Sequence, residues 1–326
     1  MRNLKFFPCG LLLLGLGAAF GQDGGLTGPV SGMVFDADSR SLRPVVGVPG
    51  AAYLGQPAVS GLDWASVAPN GRAALVLGNA QLRLLRWSSD GTSRADIIVE
   101  EAQTPGRVAW SADSSAVAVY ENSGRLRVWR TQTAQPAGDI DLSLLSGRIS
   151  ALAVEKSGAV VIGVEDATAG GVFRVSPGAA PVMVAAMASP GAMAFSRNGR
   201  DLFVADRATR RVIEIRGYRA SAALIPLADE TSGVVEPAAL AVSEDGMRLF
   251  LADRGKNTVG ICDLTTRTLA GEIALDFAPV SLEPLSGQSL YLLKGGGGGE
   301  PFQVLSAGRE PAVYFVPAER LVLEER

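Results

Sequence analysis

Ala239 to Asp253 reads ALAVSEDGMRLFLAD, and Ala192 to Asp206 reads AMAFSRNGRDLFVAD. Each stretch opens on a short apolar run, passes through a Ser-x-Asp/Asn-Gly turn and ends on a second apolar run closed by Ala-Asp. Two short β-strands joined by a tight turn account for this order, because Ser, Asn, Asp and Gly satisfy turn geometry that apolar residues do not. The pattern recurs along the chain. Trp64 begins WASVAPNGRAALVL, Val108 begins VAWSADSSAVAVYE, Ala151 begins ALAVEKSGAVVIGVE, and a degenerate copy, VSLEPLSGQSLYLLK, starts at Val280. Anchored on the residue that opens each turn (Ala68, Ser111, Glu155, Ser196, Ser243 and Pro284), the copies are 43, 44, 41, 47 and 41 residues apart.

Each copy continues into a third apolar segment, such as residues 126–129 or 212–215, and a fourth, such as 181–184 or 269–273. Four short antiparallel strands in a period of about 43 residues describe a β-propeller blade. The expected fold class is therefore all-β, a propeller of four-stranded antiparallel blades. Val, Ile, Leu and Ala fill most strand positions because each blade is covered on both faces by its neighbours.

The two ends suggest how the ring closes. Residues 34–42, VFDADSRSL, resemble residues 261–269, ICDLTTRTL, which form the hairpin between third and fourth strands of their copy. Residues 30–50 are then expected to be the outer half of a blade. Residues 312–316 and 320–324 are the expected inner half. Six full copies plus this composite predict seven blades. The alternative is six, with residues 312–316 as the fourth strand of the sixth copy.

The segments Leu202 to Ile215 and Leu249 to Asp263 resemble YVTN and NHL propeller repeats, and Arg125 to Trp129 resembles the end of a WD repeat. The resemblance spans nearly all of the chain after its first residues. It implies the propeller fold and leaves the activity open, since propellers host scaffolds, receptors and several enzyme classes.

Composition excludes much chemistry. Among 326 residues there is no histidine, which removes His-based catalytic triads, His general bases and His-ligated metals or haem. The two cysteines, Cys9 and Cys262, build no disulfide framework. A net charge of −3 carries no nucleic-acid footprint. The first residues have the order of a secretory signal peptide: Arg2 and Lys5, then a leucine run, then Ala19-Phe20-Gly21 as a small-x-small cleavage site. The run is shorter than the roughly 20 residues of a spanning helix. The expected organisation is a signal peptide over 1–21 and a single propeller over 22–326, secreted or periplasmic, with no stable membrane span after cleavage. Cys262 alternates with Ile261 in an apolar strand, so an inert buried thiol is expected.

Ten residues after their anchors stand Glu121, Glu165, Asp206 and Asp253, one carboxylate on each of four successive blades. Such a row could hold a cation or an acid–base set. Capping of the following turn is the stronger expectation, because the second strand lies away from the axis. Trp64 and Trp110 lie on innermost strands and could reach the channel mouth as ligand contacts. Trp87 and Trp129 end third strands and are expected between blades. Gly295 to Gly299 lack the Lys-Ser/Thr of a phosphate loop. Arg207, Arg210, Arg211, Arg216 and Arg219 are expected to form a solvated edge.

The expected function is non-catalytic binding of a protein, peptide or carbohydrate, with no cofactor and no metal. The alternative is a lactonase-like hydrolase, which needs carboxylates converging on the channel. Asp63, Glu155, Glu236 and Glu283 are the candidates near the innermost strands.

Overall fold

Each expected turn forms in the same way, and this regularity sets the architecture. The computed structural model describes residues 29–88, 93–285, 289–296 and 302–317. At the anchors, Ala68, Ser111, Glu155, Ser196 and Ser243 accept a backbone bond from the residue three positions on, at 2.8 or 2.9 Å. That third residue adopts positive φ in all five copies: Gly71, Ser114, Gly158, Gly199 and Gly246. Glycine takes this conformation without a Cβ penalty, which explains its place in four of them. Ser111, Ser196 and Ser243 also accept, through their hydroxyls, the amide five residues on.

Seven sheets of antiparallel strands result. Six are the sequence copies, blades one to six, at 64–99, 107–140, 148–186, 190–228, 237–274 and 279–316, each with strands in the order first to fourth. The seventh, the closing blade, spans 30–60. The strands follow the period of two. In the second strand of blade two, Ala116 and Ala118 face blade three while Val117 and Val119 face blade one. Seven buried clusters occupy the seven interfaces between neighbouring blades, so the ring is closed. Burying one Val or Leu side chain stabilises by roughly 1.5–3 kcal/mol, and fully buried residues such as Leu84, Ile162, Leu202 and Leu249 recur in these interfaces. Outermost strands meet solvent and alternate, as in Thr268–Ala274.

The closing blade corrects two expectations. Residues 312–316 are the fourth strand of blade six, paired with Phe302–Ser306, not an inner strand of the closing blade. Residues 320–324 lie outside the described residues, as do the expected signal peptide over 1–21, its cleavage site and Gly297 to Gly299. The N-terminal hairpin is also placed differently. β1 (Val30–Asp36) pairs with β2 (Ser41–Val46), and β3 (Tyr53–Leu54) and β4 (Val59–Ser60) follow one another along the far edge of β2. The β1–β2 turn sits beside Leu62 and Asp63, where β5 (Trp64–Val67) begins, because Arg40 bonds to both residues. In the other blades that end of the ring carries the turns between second and third strands. β1 and β2 are therefore second and third strands, and β3 with β4 is the fourth.

The reason for the misreading is physical. Asp36 accepts the amides of Asp38 and Ser39 with Arg40 at φ 50°, and Asp263 accepts those of Thr265 and Thr266 with Arg267 at φ 57°. Asp206 makes the same kind of turn, with Arg210 at φ 51°, after a second strand. The Asp turn thus joins either hairpin of a blade and does not report which one.

Candidate functional site

The channel has two mouths: a start face, where innermost strands begin, and a far face, where they turn into second strands. At the far face a cleft of about 560 Å³ is lined by residues from six blades. Its walls are apolar. Trp110, Met193, Phe195, Leu240, Leu282 and Leu290 supply them, with Arg197 and Glu244 exposed beside them. Innermost strands place Trp110, Met193, Phe195, Leu240 and Leu282, and the second strand of blade six opens with Leu290; alternate strand positions face opposite neighbouring blades, as Ala192 and Met193 do. Trp110 is held by its indole N–H, which donates to Ser66 Oγ of blade one at 3.0 Å. Tyr291 closes one side, with its hydroxyl donating to the Val242 carbonyl at 2.6 Å. Burial pushes its pKa up to about 12. That hydroxyl is a structural donor at neutral pH.

The two candidate tryptophans are not brought together. Trp110 lines the far-face cleft. Trp64 opens its strand at the other end and packs into the interface of blades one and two. Trp129 is buried in that same interface, and Trp87 packs between blade one and the closing blade, as expected.

The row of four carboxylates divides in two. Asp206 accepts the Ala208 amide and Thr209 hydroxyl of its turn and the Ser189 amide of the preceding connection. Asp253 likewise accepts Val235, Glu236 and Gly255 amides. Both cap loops, as anticipated. Asp36 is a further member of this set that sequence spacing missed, because its blade lacks the anchor turn before it. Glu121 and Glu165 take side chains instead: Glu121 pairs with Arg127, and Glu165 with Arg148 and Arg207. The Ser189 hydroxyl donates to Glu165, and with the neighbouring guanidinium charges it holds that carboxyl below the usual range.

The carboxylates considered for hydrolysis are dispersed. Asp63 pairs with Arg40, Glu236 with Arg254, and Glu283 with Lys294. Glu155, buried, sits between Arg174 at 2.8 Å and Arg219 at 2.9 Å. Among the described residues no group of three or more Cys, Asp or Glu comes together as a metal site. Of the blade-four arginines, Arg210, Arg211, Arg216 and Arg219 are exposed, as expected, and Arg207 is half-buried; Arg207, Arg210, Arg216 and Arg219 each reach a different glutamate.

The chain is similar in fold to a functionally unknown protein from Desulfotomaculum acetoxidans, known from a crystal structure, at a TM-score of 0.63 and 10% identity, covering 89% of this chain and 100% of that one. The chain is a seven-bladed β-propeller. Solved structures with this likeness number 1587 chains, too common a fold to select an activity. No family model matches the sequence, and no curated protein is similar to it. No helix among the described residues is long and apolar enough to cross a membrane.

Proposed function

We propose that this propeller is an exported, non-catalytic binding protein that receives an apolar segment of a protein or peptide at the far-face mouth of its channel. The observation that carries the reading is the apolar lining contributed by separate blades: Trp110 from blade two, Met193 and Phe195 from blade four, and Leu282 and Leu290 from blade six. Concave apolar surfaces with a few polar groups at the edge suit a buried anchor side chain and a polar rim. Arg197 and Glu244 supply charges of both signs there. The mixed aliphatic lining favours a peptide side chain over a sugar ring, which needs aromatic faces flanked by hydrogen-bond donors.

Selection of a random peptide library on the immobilised propeller tests this. The expected result is enrichment of peptides sharing an aromatic or large aliphatic anchor, with Met193→Glu weakening their binding at least about tenfold, as for a central anchor pocket. Absence of enrichment, or binding indifferent to Met193→Glu, overturns the reading. Chelator-sensitive turnover of a lactone panel would replace it with the hydrolase alternative. Export is tested separately by mass spectrometry of the native protein, which should begin at Gln22.

A further inference from the structure

The opposite mouth has a different chemistry. Arg107 begins the innermost strand of blade two and is half-buried. Its Nε donates to the Ile149 carbonyl of blade three at 3.1 Å, and the two terminal nitrogens of the guanidinium have no hydrogen-bond partner among the described residues. No carboxylate among the described residues forms an ion pair with it. Arg148, Arg207, Tyr120 and the carboxylate Glu165 act on it electrostatically.

These groups converge from three successive blades. Arg148 begins the innermost strand of blade three and stands opposite Glu165 in the sheet register. Arg207 follows the second strand of blade four and brings its guanidinium to 3.5 Å from the same carboxylate. It reaches there by lying across Gly191, where a Cβ would meet the arginine's Cγ and Cδ at 2.8 Å. Two guanidinium groups thus share the Glu165 carboxylate, and the third, of Arg107, has no carboxylate partner among the described residues. Nearby start-face carboxylates are not spare, since Asp63, Glu121 and Glu236 each hold another arginine.

We propose that the start-face mouth of the channel is a carboxylate-binding site, in which the free fork of Arg107, supported by Arg148 and Arg207, receives the acid group of a small organic ligand. The planar guanidinium fork matches a planar carboxylate with two parallel hydrogen bonds. Partial burial of Arg107 raises the value of those bonds by excluding water. The site is independent of the far-face cleft, at the other end of the channel. Glu165 acts as a built-in competitor, because it occupies Arg148 and Arg207 when no ligand is present.

Calorimetric titration with succinate, with glucuronate and with sulfate, at fixed ionic strength, tests the proposal on the whole mature protein. Saturable binding of the two carboxylates is expected, with tetrahedral sulfate weaker. Arg107→Gln should weaken binding about tenfold or more, the usual worth of a charge-assisted hydrogen bond. Glu165→Gln should tighten it, a change of sign that a merely structural residue would not give. Arg107→Lys keeps the charge without the fork and should bind with intermediate affinity, which serves if the Gln variant does not fold. Arg125→Gln, an exposed partner of Asp139 on the outer strands, should change nothing. No saturable binding by either the wild type or Glu165→Gln, or equal binding by wild type and the Arg107 variants, overturns the proposal.

Discussion

The carbonyl of Pro317 accepts a hydrogen bond from the amide of Leu54 at 2.9 Å. The last described residue of blade six is thereby joined to the fourth strand of the closing blade, and the two chain regions meet at a blade boundary. Only the innermost position of the closing blade has no strand among the described residues. β1 shows the consequence: its residues alternate between half-exposed and buried, whereas the second strands of blades one, two and four are buried nearly throughout.

Residues 318–326 directly follow Pro317 and contain the apolar run Leu321-Val322-Leu323. The sequence-based expectation assigns residues 320–324 to that position, and a deletion tests it. Deleting residues 318–326 should lower the stability of the protein by at least about 3 kcal/mol in urea titration, the scale expected when buried strand pairing is removed. Unchanged stability would place the innermost strand elsewhere.

Glu155 links blade three to blade four through Arg219. Burial raises its pKa, but the bonds from Arg174 and Ser157 and the charges of Arg174 and Arg219 outweigh burial and leave it below the ordinary value of 4.5. A carboxyl with a depressed folded-state pKa contributes stability above its unfolded pKa and loses it as pH falls through the folded one. Glu155→Gln should therefore cost about 1–3 kcal/mol at pH 7, discounted because both arginines are part-exposed, and the gap to wild type should shrink below pH 4. A gap independent of pH would refute the assignment.

Cys262 is fully buried and burial pushes its thiol up to about 11. An aromatic disulfide reagent at pH 8 should leave it untouched in the native protein and titrate it after denaturation. With the folded pKa raised above the ordinary 9.0, the thiol's contribution to stability is complete below that value and lost as pH rises toward 11. Rapid native labelling would contradict the buried setting.

Gly199 holds φ at 67° with open space where a Cβ would stand. Gly199→Ala should thus cost about 1–2 kcal/mol through backbone strain alone. Gly271, also open but without positive φ, should accept Ala at little cost in the same melting experiment. Equal effects at both sites would show that the left-handed turn is not what Gly199 supports.

By itself the sequence determined the repeat, the four-strand blade and six of the blades, while the seventh was decided by the tertiary structure. The first three rest on local chemistry: apolar alternation, Ser-x-Asp-Gly turns and their spacing. It also determined that Asp206 and Asp253 cap loops and that Cys262 is buried, because those outcomes depend on neighbours a few residues away or on strand period. Tertiary structure decided which hairpin residues 30–46 form, since the Asp36 and Asp263 turns are locally alike and only the contact of Arg40 with Leu62 and Asp63 distinguishes them. It also separated Trp64 from Trp110 by direction along their strands. Packing of successive blades brought Arg107, Arg148, Glu165 and Arg207 together from three blades. Residues 41 and 100 apart, as Arg148 and Arg207 are from Arg107, carry no mutual signal in the chain. They meet only because packing of blade on blade fixes the angle at which each innermost strand enters the channel.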